Sequence, residues 1–174
     1  MLKKIILPAL LVMGLNANAD ETKGLIGVEV GYMGTEVYTP TGGTDGTDSV
    51  SLGLKLGAES RHYRAFLETR WWNDSAYDNA YTLGVALQYI IRTNVEWFNI
   101  FLGLNGGGIH TVGESSEMDA YYGGDAGVNF DISKYFGIEV GGRYSLVDGN
   151  DKVGYLDKFY QGYVSAIFKF DTDY

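Results

Sequence analysis

An all-β fold, an eight-stranded antiparallel up-and-down transmembrane β-barrel, is what this sequence of 174 residues predicts. Three observations carry the prediction. The chain opens with the charge, apolar core and small-residue cleavage pattern of an export signal. After it, apolar residues alternate with small or polar ones in eight successive segments, the period of a strand. The links between those segments are alternately short and long, which places consecutive turns at opposite ends of one closed sheet.

The opening segment accounts for residues 1–19. Lys3 and Lys4 supply the positive region, Ile5 to Leu15 the apolar core, and Asn16-Ala17-Asn18-Ala19 the small residues before a cut at Asp20. An apolar run of about eleven residues is too short to cross a hydrocarbon core of ~30 Å as a helix. The expected mature chain is residues 20–174. Removing Lys3 and Lys4 leaves 11 basic against 22 acidic residues, a net charge of −11. Nucleic acid is excluded as a partner, because phosphate binding needs a basic footprint. An exported chain with no Cys has no disulfides to hold a small fold.

The strands follow in order. Ile26, Val28, Val30 and Tyr32 oppose Gly27, Glu29, Gly31 and Met33, and Val50 to Ala58 on even positions opposes Ser51 to Glu59 on odd ones. Tyr63 to Trp71 opposes Arg64 to Trp72, and Tyr81 to Ile91 opposes Thr82 to Ile90. Phe98 to Gly106 opposes Asn99 to Asn105, and Tyr122 to Phe130 opposes Tyr121 to Asn129. Phe136 to Leu146 opposes Gly137 to Ser145, and Tyr160 to Phe170 opposes Gln161 to Lys169. Each segment approaches the 9–11 residues that a tilted strand needs to span a membrane.

Short links are expected at Ser60-Arg61-His62, Arg92 to Glu96 and Ser133-Lys134-Tyr135. Long ones are expected at Thr39 to Ser49, Asn73 to Ala80, Thr111 to Asp119 and Val147 to Asp157. A β-sandwich or lipocalin-like barrel also alternates. A water-soluble fold, however, buries its apolar face. Here the opposite face is small, polar and charged, which makes a poor core and suits the interior of an inside-out barrel. Aromatic residues are expected in two girdles. One holds Tyr63, Tyr89, Phe98, Phe130, Phe136, Phe168 and Phe170 at the short-turn end; the other holds Tyr32, Trp71, Tyr81, Tyr122, Tyr144 and Tyr160 at the loop end.

Taken together, the signal, the eight alternating strands and the Phe- and Tyr-rich closing strand resemble the small outer-membrane barrels related to the transmembrane domain of outer-membrane protein A and the opacity-type, porin-family proteins. The resemblance covers the mature chain and rests on pattern. It implies a bacterial outer-membrane location, contact with outer-membrane lipid and lipopolysaccharide, and recognition of a terminal aromatic (Phe168, Phe170 or Tyr174) by barrel-assembly machinery.

The charges expected to point inward are Glu29, Lys55, Glu59, Arg64, Glu68, Arg70, Asp125, Glu139 and Arg143. Five acids against four bases suit an ion-pair plug, since buried charges must be paired; a narrow ion path is the alternative. The expected loops carry Asp45, Asp48, Asp74, Asp78, Glu114, Glu117, Asp119, Asp148, Asp151 and Asp157 against Lys152 and Lys158. Asp148-Gly-Asn150-Asp151 lacks the spaced ligands of a calcium loop, and neither a metal site nor a cofactor is expected. Catalysis would need a base near a nucleophile, and only His110 with Glu114, Ser115 and Ser116 offers those types. Lipid A deacylases would show Ser where Val112 stands, so no enzyme is expected. Two functions follow: a structural or adhesive surface protein that meets a surface ligand or host molecule through acidic loops, or a narrow channel. In a gel of the membrane fraction, unboiled and boiled samples are expected to migrate differently; a chain that dissolves in buffer without detergent and shows no shift overturns the barrel.

Overall fold

The computed structural model describes residues 22–38, 44–73, 79–112, 117–148 and 156–171. It is a closed barrel in which each strand pairs with its sequence neighbours and the first with the last. The strands are β1 (Lys23–Tyr38), β2 (Thr44–Glu59), β3 (Tyr63–Trp72), β4 (Asn79–Arg92), β5 (Phe98–Val112), β6 (Glu117–Ser133), β7 (Phe136–Asp148) and β8 (Leu156–Asp171). All pairings are antiparallel. Residues 1–19 and 174 lie outside the described residues.

Several strands are longer than the alternation alone marked. β1, β2 and β8 each run 16 residues, a contour of ~53 Å at ~3.3 Å per residue. A tilted strand crosses an apolar band of ~25 Å in fewer. The surplus lies at the loop end, so the long links are shorter than expected. Asp45 and Asp48 belong to β2, Glu117 and Asp119 to β6, Asp148 to β7, and Asp157 and Lys158 to β8. β1 and β2 remain paired up to Tyr38↔Thr44, whereas β3 meets β2 only from Ser51 onward. The hydroxyl groups of Thr35 and Thr47 bond across this extension at 2.8 Å, which helps to hold it without apolar burial.

The two faces separate by burial. Many outward Val, Leu and Ile side chains are open, from Ile100 and Leu146 at 37% exposed to Leu104 at 73%. An exterior of this extent, continuous around the barrel, belongs in hydrocarbon. Tyr32, Tyr81, Tyr122, Tyr144 and Tyr160 stand exposed at the loop end. At the other end Tyr63–Tyr89, Phe98–Phe130 and Phe136–Phe168 pack ring against ring at 5.2–5.5 Å.

The inward face departs from the expected small, polar lining, because large apolar residues share it. Met33, Trp72, Ile109, Tyr121 and Phe159 cluster near the loop end; Leu25, Phe66, Ala86 and Ile167 form a second cluster. Eight strands enclose only enough room for side chains to fill, and glycine makes that room. A Cβ at Gly127 would strike the Val140 carbonyl and the Phe101 ring; one at Gly84 would strike the Tyr121 hydroxyl and the Gly106 carbonyl. Glycines on the outside serve the seam between β1 and β8 instead: the Phe170 ring lies over Gly24 and Tyr160 over Gly34.

Gly127→Ala is therefore expected to cost about 1–3 kcal/mol through overpacking, read as a lower urea midpoint in lipid vesicles. Gly162→Ala, where a Cβ meets nothing within 4 Å, should stay within about 0.5 kcal/mol.

Candidate functional site

The chemistry of the chain collects in the lumen, because strands that turn an apolar face to lipid must turn their charges inward. Glu29 on β1 is the hub. Its carboxylate lies 2.8 Å from Lys55 on β2, 3.2 Å from Arg70 on β3 and 3.3 Å from Arg143 on β7. Gln161 and Ser165 on β8 donate to it as well, at 3.1 and 3.3 Å. Glu68 takes Arg70 and, at 3.2 Å, Arg143. Glu139 takes Arg64 and, at 3.5 Å, Lys55. Glu139 and Arg143 share the β7 wall, yet each pairs across the lumen with other strands.

A second group of charges lies nearer the short turns. Glu59 receives Arg64 at 2.5 Å, Arg92 at 3.0 Å and Lys169 at 3.3 Å. Asp131 receives Lys169 at 2.7 Å and Arg92 at 3.6 Å. Arg64 joins the two groups by touching both Glu59 and Glu139. The ring of Tyr163 flanks the upper group, 4.5 Å from the Lys55 ammonium and 4.9 Å from the Arg143 guanidinium.

Of the nine charges the alternation turns inward, eight meet in these pairs. Asp125 stands apart: Gln88 donates to it at 2.5 Å and the Tyr163 hydroxyl at 3.5 Å. Arg92, Asp131 and Lys169 complete the set; Lys169 lies on the inward face of the alternation, but none of the three is among the expected inward charges. Each continues an inward parity by one step, after Ile90, Asn129 and Ile167. With them the described lumen holds six acids and six bases.

Above these charges, toward the loops, Trp72 packs on Phe159 at 5.9 Å, and Phe159 on Tyr121 at 5.4 Å. Trp72, Phe159 and Met33 are fully buried. The two histidines lie elsewhere. His62 sits in the β2–β3 turn, stacked on Tyr89 at 6.0 Å with Nδ1 3.3 Å from the Ile90 carbonyl. His110 is on β5 opposite Tyr81 and Met118; Glu114, Ser115 and Ser116 lie outside the described residues. Among the described residues no group of three or more His, Asp or Glu is placed to hold a metal ion.

No protein-family model matches the chain, and no curated protein sequence matches it. Solved structures do. The fold is similar to that of Neisserial surface protein A, with a TM-score of 0.69 and 14% identity, over 87% of this chain and 100% of that one. It is also similar to outer membrane protein H (OprH) from P. aeruginosa, solved in micelles, with a TM-score of 0.57 and 19% identity, over 85% and 99% of the two chains. At these identities the likeness is one of fold: the chain is built as outer-membrane barrels are.

Removing one partner from a buried charge cluster strands the others. Glu29→Gln leaves Lys55, Arg70 and Arg143 short of a counter-charge, and is expected to cost about 3–5 kcal/mol. Glu36→Gln breaks a half-exposed pair with Lys158 and should cost about 1 kcal/mol or less. Urea unfolding of both variants in vesicles, against the parent, makes the comparison.

Proposed function

We propose that this barrel is a structural and surface-interaction protein of the bacterial outer membrane, exported by residues 1–19, with neither catalysis nor a cofactor. Its charged lumen acts as an ion-pair plug, and its working surface is the acidic loop end. The observation that carries this reading is the filled interior. An apolar cluster of Trp72, Phe159, Tyr121 and Met33 stands over paired charges of both signs. Charges so paired rigidify a wall more readily than they pass a hydrated ion.

What remains for function is outside. Glu36, Asp45, Asp48, Glu117, Asp119, Asp148 and Asp157 all sit in the strand ends toward the loops. Lys158, bonded to Glu36 at 2.9 Å, is among the few bases there. Such a surface suits lipopolysaccharide through shared divalent cations, or a basic patch on a surface ligand or host molecule.

A narrow channel is the second reading, and one observation favours it. A cavity of about 450 Å³, lined by Lys23, Glu59, Arg92 and Lys169 among others, opens at the short-turn end. Planar-bilayer recording separates the two. The pure refolded barrel is expected to stay silent, while Asp→Asn changes at Asp48, Asp119 and Asp148 weaken cell adhesion or envelope integrity. Stable single-channel steps that shrink on changing Glu139 or Arg143 would establish conduction instead.

A further inference from the structure

The lipid-facing wall dips where small residues replace large ones, and the dip on β2 to β5 forms a groove. Across β2 to β5 the outward residues form rows, set by register. One row reads Leu56, Leu67, Val85, Gly106, large on β2 to β4. The next row toward the short turns reads Ala58, Ala65, Leu87, Leu104, and the row below that begins with Tyr63 and Tyr89. The two alanines therefore form a floor beside Leu87, Leu102 and Leu104, with the tyrosine pair at its lower end. The groove so formed has a volume of about 640 Å³ and is mainly apolar. Dedicated small-molecule sites span roughly 300–1,000 Å³.

The groove ends at the β2–β3 turn, where its lining includes Ser60 and Tyr63. Between them stands Arg61, exposed at the height where the apolar wall stops. Its carbonyl accepts from Arg92 Nε at 3.1 Å, but its guanidinium enters none of the ion pairs of the lumen or rim. The charge is out of character for this chain, whose mature net charge is −11 and whose loop end is acidic. An exposed cation in the turn next to Ser60, which lines the apolar groove, matches an amphiphile with an anionic head.

We propose that this groove is a binding site for one anionic glycerophospholipid of the leaflet at the short-turn end. An acyl chain lies on Ala58 and Ala65, and the phosphate lies at Arg61. This rests on the membrane reading above and adds to it a specific lipid, distinct from the fluid shell that wets the rest of the wall.

The test uses the mature chain refolded in vesicles of equal phosphatidylglycerol and phosphatidylcholine. The protein is then extracted into detergent and weighed intact by native mass spectrometry. The parent is expected to keep one phosphatidylglycerol. Ala65→Leu, which fills the floor, should lower the retained lipid about tenfold, the loss of one well-formed contact region. Ala166→Leu, on β8 beside Val28 and Ile138, should leave it unchanged. Arg61→Gln should keep a lipid but weaken the preference for phosphatidylglycerol about fivefold, the worth of one interfacial cation.

Equal retention by the parent and Ala65→Leu overturns the proposal, as does a parent that keeps no lipid, or an equal loss in Ala166→Leu. An unchanged preference in Arg61→Gln overturns the assignment of the phosphate. The gel shift on boiling reports folding of each variant, and Ala58→Leu stands in if Ala65→Leu fails it. A parent without that shift sinks the membrane reading itself, which is a separate result.

Discussion

The pairing of β1 with β8 is the interaction on which the rest of the molecule depends. In hydrocarbon an unpaired backbone amide or carbonyl costs several kcal/mol, so a sheet with free edges is not tolerated there. The seam runs from Lys23↔Asp171 to Val37↔Leu156, broken only by a bulge at Glu36 and Val37. Closing it joins the two ends of the chain, the contact with the largest loop entropy to overcome. Phe170 over Gly24 and Tyr160 over Gly34 place a ring across the seam near each end. A bulky side chain at either glycine would displace the ring from the backbone it shields.

Closure then dictates the interior. Eight strands enclose a lumen too narrow to be a bath and too polar on its walls to be an oil drop. The outward positions hold most of the aliphatic residues, so the inward ones must satisfy charge and volume together. Charge is met by crossing the lumen: Glu29 reaches β2, β3 and β7, and Arg64 links Glu59 to Glu139. Volume is met by pairing glycine with bulk, as Gly127 does with Phe101 and Gly141 with Tyr163. The same side chains thus serve as core and as braces between walls that share no direct pairing.

Most of this was legible in the sequence, because a period of two assigns each residue to a face. Residues from Gly27 to Met33 on β1, and from Arg64 to Trp72 on β3, alternate as the burial does. What escaped has physical causes. Arg92 and Asp131 stand at strand ends, where alternation fades into turn composition; Lys169 lies on the inward face of the alternation but is not among the charges expected to pair. Phe159 lies one residue before the stretch that alternates plainly, so the alternation did not place it inward. The extensions of β1, β2 and β8 are held by backbone ladders and contacts such as Thr35 to Thr47. They bury little apolar surface, and Thr, Gly and Asp read as loop. Pairing across the lumen was beyond sequence altogether: Glu139 and Arg143 sit four apart on one strand, yet the closed geometry sends both across to β3, to Arg64 and Glu68.

The two rims follow from the same constraint. Lipid fixes the middle of every strand and the lumen must stay near neutral, so surplus charge has only the ends in which to accumulate. It does so unequally. The loop end keeps Glu36, Asp48, Asp119, Asp148 and Asp157, while at the short turns Lys23, Arg61 and Lys134 stand beside Glu96 and Asp171. A barrel polarised in this way has two faces suited to different company. The acidic end repels anionic surfaces unless divalent cations intervene; the other end can hold an anionic lipid directly. Since its interior is committed to packing, variation in what such a barrel meets must come from its rims and from the relief of its lipid-facing wall.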